Sequence, residues 1–229
     1  MSRALILQHG DWGPPALLGD WAQERGIPVD VYRVDHGGPW PEVDDQLFVA
    51  SLGSKYSPTD DHVPDVVQEL AFISAVVAAD IPVLGLCYGA QVLAVVLGGG
   101  VEPAPEPELG WHTVESDARE LVGAGPWLQW HYHRFTLPPG ARELARSPRA
   151  LQAFSSGPHL AVQFHPESTI DIVQGWARID GDRLLALGID DGEALAGDGA
   201  HLAGAARTDA FALFDAFWER AHPSKRRAS

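Results

Sequence analysis

The sequence predicts an α/β protein whose mostly parallel sheet is covered by helices on both faces and continued by an antiparallel extension. Three observations predict it. Through the first hundred residues, short apolar runs alternate with longer stretches of helical spacing, the pattern of parallel strands joined by crossovers. One such run leads into a glycine-flanked turn, Gly85-Leu86-Cys87-Tyr88-Gly89, and a helix-like stretch leads out. Beyond that point the pattern changes to short strands joined by Pro- and Gly-rich turns, as in an antiparallel or mixed section of the same domain.

The elements follow in order. Ala4 to Gln8 reads as a short buried strand, and Pro14 to Arg25 as a helix with proline near its start, where a missing N–H costs little. Val29 to Val34 is a second strand. Gln46 to Leu52 is a third, ending in the loop Gly53-Ser54-Lys55-Tyr56-Ser57-Pro58. Pro64 to Ala79 carries Val66, Val67, Leu70, Ile73, Val76 and Val77 at helical spacing. Pro82 to Leu86 is the strand feeding the glycine-flanked turn, and Ala90 to Leu97 the helix leaving it. Reactive groups of such sheets gather at the carboxyl ends of the strands, where Gly53 and Cys87 both fall. Later strands are expected at Trp111 to Glu115, Trp127 to His133, Ala150 to Ser155 and Leu160 to Phe164. Ala205 to Ala221 reads as a final helix whose Phe211, Phe214, Phe217 and Trp218 form a core-packing stripe.

Composition sets bounds. The 229 residues suit one domain, with its motifs in about 4–178, a helical extension over about 179–222 and a frayed basic tail at 223–229. A chain of this length buries roughly 70–75% of its unfolded surface and needs no disulfide or metal to fold. The single cysteine excludes an internal disulfide and fits a reducing compartment, so a cytoplasmic location is expected. The N-terminal apolar stretch is too short for a secretory signal, and no apolar run approaches the ~20 residues of a membrane span. A formal net charge of −15 argues against nucleic acid and anionic membranes as partners. Gly98-Gly99-Gly100 follows a helix and lacks the lysine of a phosphate loop, so no nucleotide cofactor is expected.

The chemistry starts at Cys87. A tight strand-to-helix turn lifts the side chain out of the backbone and sets the sulfur at a helix N-terminus, which favours thiolate. A thiolate nucleophile needs a proton partner. Among ten histidines, His165 stands out in Val162-Gln163-Phe164-His165-Pro166-Glu167, at the end of an apolar strand. Glu167, two residues on, is placed to orient the imidazole and stabilise its charged form.

These residues resemble a known family. Gly85-Leu86-Cys87-Tyr88-Gly89-Ala90-Gln91 and Phe164-His165-Pro166-Glu167 look like the two signatures of class I, triad-type glutamine amidotransferases, and the resemblance covers about residues 4–178. Ser51-Leu52-Gly53 sits where that family has its oxyanion loop. Leu109-Gly110-Trp111 resembles a recurring turn and strand. Trp130-His131-Tyr132-His133-Arg134-Phe135-Thr136-Leu137-Pro138 resembles a Trp-His-Gly-Asp-x-Phe-x-Leu-Pro segment lining the glutamine pocket. The resemblance implies a flavodoxin-like three-layer α/β/α sandwich and hydrolysis of a γ-glutamyl amide through a cysteinyl thioester. It implies Cys87 as nucleophile, His165 as base and acid, and Glu167 as its orienter. The oxyanion donors it implies are the backbone N–H groups of Gly53 and Tyr88, and the substrate contacts Gln91, His131, Tyr132 and His133. The expected ligand is glutamine or another γ-glutamyl compound.

The chain also departs from the family pattern. Leu52 replaces the first glycine of a frequent pair, Ser54 stands where many members have proline, and Tyr132-His133 replaces Gly-Asp. The lost carboxylate removes an attraction for an α-ammonium and raises the prospect of a γ-glutamyl conjugate as substrate. His131 and His133 share a strand face, with His112 expected nearby in the fold, but this spacing does not make a metal-ligand set, and polar pocket lining is the expectation. Two readings therefore compete: a glutaminase subunit passing ammonia to a separate synthase, and a free-standing γ-glutamyl hydrolase. An inactive binding or regulatory homologue is a third, disfavoured by the intact Cys87, His165 and Glu167 set.

Overall fold

In the computed structural model, which describes residues 2–197 and 199–222, one eight-stranded sheet organises the chain. Strands β1 (Ala4–Gln8), β2 (Val29–Arg33), β3 (Val49–Ser51) and β4 (Val83–Leu86) alternate with helices α1 (Ala16–Glu24), α2 (Pro64–Ala78) and α3 (Tyr88–Val96). Strands β5 (Val101–His112), β6 (Glu115–Ser116), β7 (Trp127–Phe135), β8 (Arg142–Arg146), β9 (Leu151–Ser156) and β10 (His159–Val162) follow, and then helices α4 (Ile170–Ile179), α5 (Gly181–Ala186), α6 (Gly192–Gly197) and α7 (Ala203–Ala221). The sheet order is β2-β1-β3-β4-β10-β9-β8-β6. Its first five strands run parallel, and the β10–β9, β9–β8 and β8–β6 pairs are antiparallel. The mostly parallel sheet and its antiparallel extension are as the sequence predicts.

Burial on both faces explains the unbroken apolar runs. Along β1, Ala4 and Ile6 join one core cluster while Leu5 and Leu7 join the other, as period-two alternation requires. The first cluster takes Leu18 and Trp21 of α1 with Phe214 and Phe217 of α7, and Trp21 lies 5.7 Å from the Phe214 ring. The second takes Ile73 and Val76 of α2 with Val92 and Leu93 of α3. The expected aromatic stripe is core: Phe211, Phe214 and Phe217 are buried and Trp218 packs against them.

Three differences from the sequence reading have physical reasons. β5 runs from Val101, ten residues before the strand expected at Trp111, although it carries Pro103, Pro105 and Pro107. Among the described residues it pairs only with β7, in a separate two-stranded sheet, and its register shifts between Pro103 and Glu108, where prolines cannot donate to a ladder. β8 lies where no strand was expected, because its polar Arg142, Glu143 and Arg146 mask the buried Leu144 and Ala145. β10 ends at Val162, so Phe164 and His165 lie in the turn beyond it. The tail expected at 223–229 lies outside the described residues. Among those described, no helix is long and apolar enough to cross a membrane.

Candidate active site

Close packing builds the turn at Cys87. β4 delivers this residue to α3 with φ 53° and ψ −105°, a left-handed backbone that costs a non-glycine residue on the order of 1–3 kcal/mol. The Cys87 N–H donates to the Val162 carbonyl at 2.9 Å, tying the turn to β10. Both flanking glycines are required sterically. A Cβ on Gly85 would stand 2.6 Å from the Gly89 carbonyl oxygen, and one on Gly89 would overlap the Ser51 carbonyl. Helix α3 therefore seats directly on the ends of β3 and β4. Cys87 is its cap residue, so the free N–H groups of the first turn lie beside the sulfur.

His165 stands just beyond β10, its N–H donating to the Leu128 carbonyl at 2.9 Å. Its Nδ1 lies 2.8 Å from Glu167 Oε1, and both side chains are buried. Trp176 of α4 packs edge-on against the imidazole, with ring centroids 4.6 Å apart. Burial pulls the His165 pKa down, but the charges and hydrogen bonds of Cys87 and Glu167 outweigh it and hold it up at about 10. Gln163 Nε2 lies 3.8 Å from the Cys87 sulfur and the Trp130 carbonyl 3.9 Å.

A cavity of about 380 Å³ opens over these groups. Its wall includes Cys87, His165, Gly53 and Tyr88, and Glu167 stands behind His165. The space at Gly53 is tight: a Cβ there would lie 3.0 Å from His165 Cε1. Leu52, which replaces a glycine of the related loop, turns its side chain into the core. The Tyr88 phenol is also turned inward, where burial and then the charge of Glu69 push its pKa well above the ordinary value.

Gln91, His131, Tyr132 and His133 also line the cavity, and the side chains of the first three hold hydrogen bonds of their own. Gln91 Nε2 donates to the His133 carbonyl and to Gln163 Oε1, both at 3.3 Å. His131 Nδ1 donates to the His133 carbonyl at 3.0 Å, and its Nε2 lies 3.4 Å from Glu108 Oε2. Nε2 is buried and makes no hydrogen bond within the described residues. The Tyr132 hydroxyl donates to Asp180 Oδ2 at 3.2 Å, and the Arg183 guanidinium lies 3.2 Å from the Tyr132 ring centre. Burial, and next the nearby Arg183 charge, lower the His133 pKa, so its imidazole is neutral at neutral pH.

Sequence reasoning missed part of the wall. Trp12, Trp176, Asp180 and Arg183 all line the cavity, and Asp180 also accepts from Trp130 Nε1 at 2.9 Å. The last two come from the segment beyond residue 178, which bears no readable motif. Trp12 is held by Trp176, whose Nε1 donates to its carbonyl at 2.6 Å. Among the described residues, no group of three or more His, Cys, Asp or Glu side chains is gathered as a metal site.

The model of the glutamine amidotransferase class-I family matches residues 21–172. The chain belongs to this family. This amidotransferase-family chain is 37% identical over 195 residues to the glutamine-hydrolyzing GMP synthase of Ralstonia pickettii, an alignment covering 78% of this chain and 35% of that protein. It is 40% identical over 95 residues to a glutamine-hydrolyzing GMP synthase subunit of Ignicoccus hospitalis, covering 38% of this chain and 50% of that one. The matched segment thus spans half or less of these curated relatives. Among solved structures, a glutamine amidotransferase from Methylobacillus flagellatus superposes with a TM-score of 0.86 at 27% identity, covering 96% of this chain and 95% of that one. The flavodoxin-like sandwich expected from the resemblance is the fold of these neighbours.

Proposed function

We propose that this chain hydrolyses the side-chain amide of glutamine through a cysteinyl thioester and passes the ammonia to a separate synthase. One observation carries the reading: Cys87, in its strained turn, shares a cavity with a histidine whose far side is held by Glu167 at 2.8 Å. Cys87 Sγ attacks the amide carbon while the thiol proton rests on His165. The negative charge forming on the amide oxygen is met by backbone N–H groups at Gly53 and Tyr88. The carbon–nitrogen bond then breaks, and His165 gives its proton to the leaving nitrogen, releasing ammonia. Water attacks the thioester carbon, His165 takes its proton, the carbon–sulfur bond breaks, and glutamate leaves with the thiol restored. Glu167 keeps the ring in one orientation and stabilises its charged form throughout.

The synthase partner is supported by the relatives, which are named as a GMP synthase or as one of its subunits. The cavity supports a zwitterionic ligand. Asp180 supplies a carboxylate for an α-ammonium where His133 does not, and Arg183 supplies a guanidinium for an α-carboxylate. A second reading, a free-standing γ-glutamyl hydrolase, is favoured by one observation: neutral His133 stands where the related segment has aspartate. Glutamate release from glutamine and from a panel of γ-glutamyl amides, with Cys87→Ala as the blank, tests both. A clear kcat/KM preference for conjugates would overturn the first reading in favour of the second.

A further inference from the structure

We propose that the backbone N–H of Ser54 is an additional oxyanion donor, and that His9 and Glu69 are positioning residues that hold it there. This rests on the reading of Cys87 as nucleophile. The Gly53 carbonyl oxygen lies 3.1 Å from His9 Nδ1. A carbonyl only accepts, so Nδ1 carries a proton, and a second proton lies between Nε2 and the Glu69 carboxylate. His9 stands outside the cavity wall, whereas Gly53 and Ser54 belong to it. The peptide between them is trans, so its C=O and N–H point in opposite senses. Drawing the carbonyl back to His9 therefore turns the Ser54 N–H toward the cavity.

That N–H has no acceptor among the described residues, nor has that of Gly53. The Ser54 hydroxyl is occupied otherwise, accepting from the Tyr56 N–H at 3.3 Å. Gly53 is buried and Ser54 partly so, and an unpaired donor away from water is costly. Donors aimed at the place where charge develops during reaction turn that cost into rate. Proline, which many members of the family carry at this position, has no N–H to give. The serine thus adds a donor that a proline loop lacks.

The latch is clamped at both ends. His9 Nε2 lies 2.7 Å from Glu69 Oε2, and Ser51 Oγ donates to Glu69 Oε1 at 2.7 Å. Both side chains are buried, His9 5% and Glu69 1% exposed, which confines the ring. The His9 ring also meets the Tyr88 ring edge-on at 5.0 Å. The buried pair thus touches both Gly53 and Tyr88, the two residues whose N–H groups the proposed mechanism uses.

The test compares kcat and KM for glutamine in paired variants. Ser54→Ala keeps the N–H and Ser54→Pro removes it. The expected kcat ratio between them is about 10²–10³, with similar KM. Iodoacetamide alkylation of Cys87, which forms no oxyanion, should proceed at similar rates in both. His9→Asn places an amide donor near the former Nδ1, and His9→Ala does not. The asparagine variant should recover at least tenfold in kcat over the alanine variant, without a matching change in KM. Equal kcat in the two Ser54 variants, or joint loss of turnover and alkylation in Ser54→Pro, overturns this inference. So does a His9 pair that differs only in melting temperature. Turnover surviving in Cys87→Ala would overturn the nucleophile reading as well. Turnover lost there but equal in the Ser54 pair sinks this inference alone.

Discussion

Gly89→Ala tests how the nucleophile turn is built. The added methyl would overlap the Ser51 carbonyl, and Ser51 belongs to a buried strand paired on both sides, to β1 and to β4. The strand has nowhere to go, so α3 must back away by roughly 1 Å, and a displacement of that size at a reacting centre costs about 10²-fold in rate. Overpacking against backbone belongs at the upper end of its range, about 3 kcal/mol. Alanine in place of a helical glycine returns up to about 1 kcal/mol. The net loss is about 2 kcal/mol, or about 4–8 °C in melting temperature for a chain of this size. Thermal unfolding followed by circular dichroism, with ammonia release from glutamine, reads both effects. Gly175→Ala is the control: it lies within α4 with nothing inside 4 Å of its added Cβ, and should melt slightly higher than wild type. A Gly89→Ala protein with wild-type melting and turnover would refute the reasoning.

Other outcomes follow from the same geometry. Glu167→Gln removes one of the charges holding the His165 pKa near 10, so the alkaline limb of kcat/KM should move down from about pH 10 toward pH 6.5. The sign for stability agrees: a raised histidine pKa stabilises fully below about pH 6.5 and is lost as pH rises through about 10, so the variant should lose stability mainly at the acid end. Asp180→Asn should raise KM for glutamine by about 10–100-fold, the worth of a hydrogen bond to a charged group, with little change in kcat; unchanged KM would remove Asp180 from substrate binding. Phe214→Ala, at a fully buried ring against Trp21, should cost about 3–5 kcal/mol in urea or thermal unfolding without altering KM in the folded protein.

The sequence makes the parallel half of the sheet legible because its strands are apolar on both faces: Ala4 and Ile6 feed one core, Leu5 and Leu7 the other. Cys87, His165 and Gly53 were legible because each sits where a strand ends, at the rim where such sheets place reactive groups. β5 was hidden by its three prolines, which argue against a strand unless the ladder shifts around them, as it does. Asp180 and Arg183 were hidden because only the fold-back of α4 and α5 over β7 brings them to the cavity. His9 also stands where a strand ends, one residue past β1, and that position was the available signal. Its meaning lay with Glu69, sixty residues away in sequence, and no local pattern joins the two.

The central claim is that Cys87 accepts a γ-glutamyl group. Ammonia and glutamate released from glutamine under single-turnover conditions, with enzyme in excess, test it most directly because slow turnover without a partner does not hide the first event. The account predicts equal amounts of both products from the wild-type chain and neither from Cys87→Ala. Release that persists without the thiol, or a wild-type chain that releases neither product, would contradict it.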